Sequence, residues 1–465
     1  MFQGLGATRS EDHLQAIEPA ADETEPDSHI RLSDAREVVE RAAAAAYDWQ
    51  ETTFLERAEY LRNAAALLRE RAPTYAELMA REMGKPVREG RAEIEKCAWV
   101  ADYYAENARR FLKPQLIETD ASSSYVCFAP LGVVLAIMPW NFPFWQLFRF
   151  AAPALMAGNS IVMKHSSLVP RSAQAIGDLF RESGVPCTAF ANLHLTREDA
   201  EALIDLDAIS AVTFTGSTVA GRSIAARAGR ALKKVVLELG GSDPYVILSD
   251  ADLEAAADAC VTSRMQNNGQ SCIAAKRFIA VKSVRLAFQA AVLERMQARR
   301  MGDPLDPATE QGPMASVDLR DQLHAQVQAS VAAGAMLMLG GAVPQREGAW
   351  YPPTVLANVR PGMPAYSEEL FGPVATVIEA ADEEDAIRIA NDTSYGLGGA
   401  VFSRDRVRAE KIAKSRILAG SCFVNDFVRS DPRLPFGGIK RSGHGRELSL
   451  FGIQEFVNIK TIYVR

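Results

Sequence analysis

The chain has 465 residues, too many for one ordinary hydrophobic core, so two or three domains are expected. Its 48% hydrophobic and 23% charged residues describe a soluble globular protein, and a net charge of −7 argues against nucleic-acid or anionic-membrane surfaces and for a small-molecule ligand. Six cysteines, at 97, 127, 187, 260, 272 and 422, stand without CxxC or Cys/His spacing, so neither a metal site nor a disulfide framework is expected, and a reducing cytoplasm fits.

In chain order, Glu11 to Asp27 hold seven acids and no Lys or Arg, the opposite of a signal-peptide opening, and read as a mobile or loosely docked leader. From Ser33 to about Phe111 the pattern is helical, with Thr53-x-x-Glu56 and Thr74-x-x-Glu77 as predicted capping boxes, Leu61, Ala65 and Leu68 on one face, and a break at Gly84-Lys85-Pro86. The β-prone segment Ser122 to Phe128 is expected to form either a strand pairing with another subunit or an ordinary edge hairpin. The longest apolar run, Gly132 to Met138, ends at Pro139 and is far too short to span a bilayer.

From Leu131 strands alternate with helices: Val133–Ile137, a helix to Gly158, Ile161–Met163, a helix to Gly184, and Ala211–Phe214. That alternation predicts a doubly wound parallel sheet, whose ligands bind beyond the carboxyl ends of the strands. Three motifs fall at such ends: Pro139-Trp140-Asn141-Phe142-Pro143, Lys164-His165-Ser166-Ser167, and Thr215-Gly216-Ser217-Thr218-Val219-Ala220-Gly221. The last opens a helix with small residues, as phosphate binding needs, although Thr218 breaks a G-x-G-x-x-G pattern. Strand-like Val235–Leu237 then delivers Glu238 ahead of two glycines, where it reads either as a buried ion-pair partner or as a carboxylate desolvated for base work. Asn267-Asn268-Gly269-Gln270-Ser271-Cys272 is a glycine-containing turn in which the thiol is either a small buried hydrophobe or a held, reachable nucleophile. A second α/β pattern runs from Tyr245 to about Val424, and the apolar tail from Phe451 to Val464 is able to join a sheet.

Taken together, these residues resemble the aldehyde dehydrogenase superfamily from about residue 50 to the end. The matching motifs are Pro139–Pro143, Phe214–Ser217, Glu238-Leu239-Gly240-Gly241, Gly269–Cys272, Glu369-Leu370-Phe371-Gly372-Pro373 and Pro435-Phe436-Gly437-Gly438. The strands that usually open the family are not recognisable here. The resemblance implies an α/β fold with a doubly wound NAD(P)-binding domain (1–112 and 131–240), an α/β catalytic domain (241–440) and a small β element for oligomerisation (113–130 and 441–465). It implies that Cys272 attacks an aldehyde, that Asn141 and the Cys272 N–H hold the oxyanion, and that Glu238 activates water to release the acid. By the same resemblance Trp140, Lys164, Ser167, Thr215, Gly216, Ser217, Gly221, Leu239, Glu369 and Phe371 line the site of NADP or NAD. Ser167, where NAD-preferring relatives carry a glutamate, leaves room for a 2′-phosphate.

Within the family the likeness is greatest to enzymes acting on succinate semialdehyde. Arg149 and Ser430 match positions holding the substrate carboxylate in those enzymes, and Gln266 stands where some of them have arginine. A homodimer or homotetramer is expected. The alternatives are a dehydrogenase of broader aliphatic or other short ω-substituted aldehydes and, more remotely, a cysteine hydrolase, for which no histidine lies within fifty residues of Cys272.

Overall fold

A computed structural model describes residues 29–465, so the acidic stretch from Glu11 to Asp27 lies outside the described residues. Among the described residues four helices come first: α1 (Leu32–Glu51), α2 (Phe54–Glu70), α3 (Ala72–Met83) and α4 (Val87–Phe111). The Thr53 box forms as its spacing predicts, the hydroxyl accepting from the Glu56 N–H at 3.2 Å while the Glu56 carboxylate accepts from the Thr53 N–H at 2.6 Å. The Thr74 box does not. Pro73 sits in the first turn of α3, where its missing N–H costs nothing, so the helix begins before Thr74 and makes it an interior residue. Gly84, at φ 72°, ends α3 in the left-handed region that glycine adopts without strain.

Next come β1 (Gln115–Leu116), β2 (Ser123–Pro130), β3 (Val133–Ile137), α5 (Pro143–Met156), β4 (Ser160–Lys164), α6 (Pro170–Glu182), β5 (Phe190–Asn192), α7 (Arg197–Leu203), β6 (Ile209–Thr215), α8 (Thr218–Arg230) and β7 (Lys234–Glu238). Strands β5, β4, β3, β6 and β7 lie side by side in that order, all parallel. Strand order reverses on either side of β3, which opens a crevice beyond the carboxyl ends of β3 and β6. The three loop motifs follow the carboxyl ends of β3, β4 and β6.

The second sheet is built from β8 (Asp243–Ile247), β9 (Ala275–Val281), β10 (Met336–Leu339), β11 (Thr354–Ala357), β12 (Val374–Ala380), β13 (Ala400–Phe402) and β14 (Phe423–Val424), with α9 (Leu253–Met265) between β8 and β9. Its order is β10-β11-β12-β9-β8-β13-β14, parallel except at β10. Buried apolar clusters include side chains from its central strands, which explains the near-continuous apolar runs of β8 and β9. The chain then returns: β15 (Gly443–His444) pairs antiparallel with β7, and β16 (Val457–Val464) pairs with β2 over eight residues, from Val457 opposite Pro130 to Val464 opposite Ser123. With β1 on the other side of β2 this makes a three-stranded sheet carrying exposed Leu116, Ile459 and Tyr463. Among the described residues no helix is long and apolar enough to cross a membrane.

Candidate active site

Three consecutive residues after α9 have left-handed backbone: Asn267 at φ 54°, Asn268 at φ 56° and Gly269 at φ 76°. Asparagine tolerates this conformation because its side chain bonds locally, and glycine is required at 269 because a Cβ there would stand 2.3 Å from the Gly372 carbonyl carbon. Both asparagines tie the turn down. Asn267 Nδ2 donates to the carbonyls of Asn141 at 2.7 Å and Gln270 at 3.0 Å, and Asn268 Nδ2 to those of Gly84 at 2.8 Å and Pro313 at 2.9 Å. Cys272 therefore follows a rigid turn. Asn141, on the loop after β3, donates from Nδ2 to the Gln270 carbonyl at 3.1 Å, and its second amide hydrogen is left for a ligand.

Cys272 opens into a cavity of about 160 Å³ whose walls include Phe142, Trp145, Arg149, Gln266, Ser430 and Phe436. Burial pushes its thiol up to about 11, the Arg149 and Lys276 charges pull it down, and Glu369 and Glu238 push it further up. The resting thiol is thus protonated at neutral pH. In the free protein, iodoacetamide alkylation of Cys272 is expected to speed up steadily from pH 7 to about pH 9.5 without levelling off, and a plateau below pH 9 would contradict this.

Glu238 ends β7, 3% exposed, and neither carboxylate oxygen has a hydrogen-bond partner among the described residues. Burial raises it well above the usual carboxylate range, Glu447 adds to the rise, and Arg149 and Arg446 oppose it. Gly437 leaves the space: a Cβ there would stand 2.7 Å from Glu238 Oε1. Arg149, expected as the main cation for a substrate carboxylate, lines the cavity, but its guanidinium forms an ion pair with buried Glu447 and lies 4.6 Å from the Phe436 ring centre. Its charge therefore already has a counter-charge.

The cofactor candidates lie at strand ends and in the loops and helix starts after them. Lys164 closes β4; Ser166 and Ser167 line a second cavity with His165 and His194. Thr215 closes β6, and Ser217 caps α8, accepting from the Ala220 N–H at 3.3 Å. A Cβ at Gly221 would reach 2.5 Å from Leu239 Cδ2, so helix and strand pack closely here, as a phosphate-binding helix start requires. Glu369 accepts from the Gly241 N–H at 3.0 Å and pairs with Lys276 at 3.3 Å, while Trp140 and Phe371 meet edge to face at 5.8 Å. These residues fit a dinucleotide: a capped helix N-terminus for its phosphates, an acid for a ribose, aromatic rings for a flat base.

The helical pattern through Phe111 and its break at Gly84-Lys85-Pro86 foretold α4, but not its part in the site. Its Glu89 accepts from the Asn267 N–H at 2.5 Å, and its Glu93 accepts from the N–H groups of Phe144 and Trp145, both at 3.0 Å, and pairs with buried Lys85. Lys85 in turn donates to the Asn141 carbonyl at 2.9 Å. One turn on, Lys96 reaches the cavity wall. Glu447 was missed too, since nothing in Arg446-Glu447 marks it as buried.

A model of the "Aldehyde dehydrogenase family" matches residues 7–462. A probable succinate-semialdehyde dehydrogenase [NADP(+)] of Synechocystis is 48% identical over 88% of this chain and 90% of its own length. A succinate semialdehyde dehydrogenase [NAD(P)+] of Escherichia coli is 46% identical over 92% of this chain and 93% of its own. Among solved structures, the succinic semialdehyde dehydrogenase of Streptococcus pyogenes in complex with NADP+ superposes with a TM-score of 0.92 at 38% identity, covering 94% of this chain and 96% of that one. Its fold is the expected α/β one, and the chain belongs to the aldehyde dehydrogenase family.

Proposed function

We propose that the protein oxidises succinate semialdehyde to succinate with NADP, and also with NAD, through covalent catalysis at Cys272. The observation that carries this is the cavity itself, where one thiol shares apolar walls with a group of cationic and hydroxyl side chains suited to a carboxylate. The relatives' substrate supports the same reading. Cys272 releases its thiol proton to solvent and, as thiolate, attacks the aldehyde carbon, and the resulting oxyanion accepts from the spare Asn141 amide hydrogen and the Cys272 N–H. When bound, the nicotinamide supplies the acceptor for the hydride that leaves the thiohemiacetal. Glu238 then takes a proton from water as the oxygen attacks the thioester, and the acid departs as Cys272 recovers its proton. Its lack of protein partners leaves both oxygens for that water.

In this reading residues 1–112, of which 29–112 are described, and 131–240 make up the cofactor domain and 241–440 the catalytic domain, while 113–130 and 441–465 join subunits of a homodimer or homotetramer. Lys164 and Ser167 are the residues that would hold the adenosine ribose of a bound cofactor at its 2′-position. Replacing Ser167 with glutamate sets a carboxylate against a 2′-phosphate, so kcat/KM with NADP is expected to fall about tenfold or more relative to NAD. Equal changes for the two cofactors would remove Ser167 from this role.

The apolar wall of Phe142, Trp145 and Phe436 favours a second reading, a dehydrogenase of unsubstituted aliphatic aldehydes. Reduced-cofactor absorbance with succinate semialdehyde and with butanal separates them: the first is expected to have the higher kcat/KM, and the reverse order overturns the substrate assignment. A cysteine hydrolase would need a base beside the thiol, and among the described residues no histidine lines this cavity.

A further inference from the structure

Resting on that substrate reading, we infer that Lys96 on α4, seconded by Ser430, is the cation that binds the distal carboxylate of the aldehyde and sets the preference for ω-carboxylated substrates. Lys96 lines the same cavity as Cys272. Its ammonium donates to Ser430 Oγ at 2.8 Å and lies 4.3 Å from the Trp145 ring centre, so the side chain is aimed and held rather than free to rotate. An ammonium has three donors, and Ser430 takes one.

Counter-charges decide between the cations of this cavity. Arg149 is paired with Glu447, and Arg429, half exposed, is paired with Asp426 at 2.8 Å. Among the described residues Lys96 has no carboxylate within ion-pair distance. The two acids that act on it from nearby are engaged elsewhere: Glu93 with Lys85 and two backbone N–H groups, Asp431 with Arg433 at 2.6 Å. Burial pulls the Lys96 ammonium down to about 8, and the Arg149 charge pulls the same way. An incoming carboxylate supplies what the site lacks, an anion against a desolvated cation, with the Ser430 hydroxyl as a further donor. The apolar flank of Trp145 and Phe142 suits the short methylene chain between that carboxylate and the aldehyde at Cys272.

The test is the ratio of kcat/KM for succinate semialdehyde to that for butanal, which shares the chain length and lacks the carboxylate. Because both values come from one preparation, partial misfolding cancels from the ratio. Lys96→Met keeps most of the length of the side chain and removes its charge, and it is expected to lower the ratio about ten- to a hundredfold, mainly through KM for succinate semialdehyde. Lys96→Arg, which keeps a cation, is expected to restore the ratio to within about fivefold of the parent, a rescue that a merely packing role would not produce. Succinate, as a competitive inhibitor, is expected to weaken in parallel with the loss in Lys96→Met. A parent that prefers succinate semialdehyde, with a ratio unmoved by Lys96→Met, overturns this inference alone. A parent that prefers butanal overturns the substrate reading and this inference with it.

Discussion

Cys272→Ala is expected to abolish aldehyde oxidation, lowering kcat by about 10⁴-fold or more, because without the thiol no covalent intermediate forms and the remaining groups can only polarise a bound aldehyde. The loss should be confined to chemistry. The turn before Cys272 is held by Asn267, Asn268 and Gly269 through bonds that do not involve the sulfur, so the backbone has no reason to move when the thiol goes. Cofactor affinity, followed by the change in protein fluorescence on titration, should stay within about threefold of the parent, as should the thermal midpoint within a few degrees. Oxidation at near the parent rate would show that the covalent route is wrong.

Glu238→Gln is expected to separate the two halves of the reaction. A glutamine can neither accept a proton from water nor carry charge, so thioester formation should proceed and hydrolysis stall, with turnover falling about 10²–10⁴-fold. Rapid-mixing absorbance should then show one equivalent of reduced cofactor per site in a burst, followed by a slow steady state. The sign of the pH effect follows from the raised position of Glu238. Its base form gains population as pH rises, so the parent's kcat should climb with pH along a limb centred well above the ordinary carboxylate range, and that limb should vanish in the variant. A missing burst with slowed hydride transfer would take Glu238 out of this role. The substitution also removes a carboxylate that is buried without a partner beside Glu447, so the variant is expected to be no less stable than the parent.

Much of the fold was legible because its signals are local. Strand β3 occupies Val133–Ile137 as the apolar run and closing proline indicated, and β7 delivers Glu238 as expected from Val235–Leu237. Strand β5 and α7 were not foreseen: a three-residue strand shows no period, and seven helical residues give too few turns for a stripe. Thr74 misled because proline at the next-lower position starts the helix earlier, and the capping pattern does not weigh that competition. The site residues carried by loops could be named from motifs, since glycines and asparagines in unusual backbone leave a mark in sequence. The charges around them could not. That Arg149 faces Glu447, nearly three hundred residues away, is a product of tertiary packing, and a helical lysine at 96 looks like any solvated surface residue until the fold sets it against Trp145 and Ser430.

Helix α4 places Glu89, Glu93 and Lys96 within two turns along one side, touching respectively the turn before Cys272, the first turn of α5 and Ser430 in the cavity wall. The three groups are spaced by four and three residues, the intervals that keep side chains in line on a helix turning every 3.6 residues. A single residue added between Glu89 and Glu93 would swing one group away from the other by about 100°, so the turn before Cys272 and the start of α5 could no longer be gripped from the same rod. Point changes along its outer face should be absorbed, whereas insertions or deletions inside it should silence the enzyme while every reacting atom is still present. In this protein the chemistry is written in loops that follow the sheets, and the distances between them are kept by a helix that precedes both sheets in the chain.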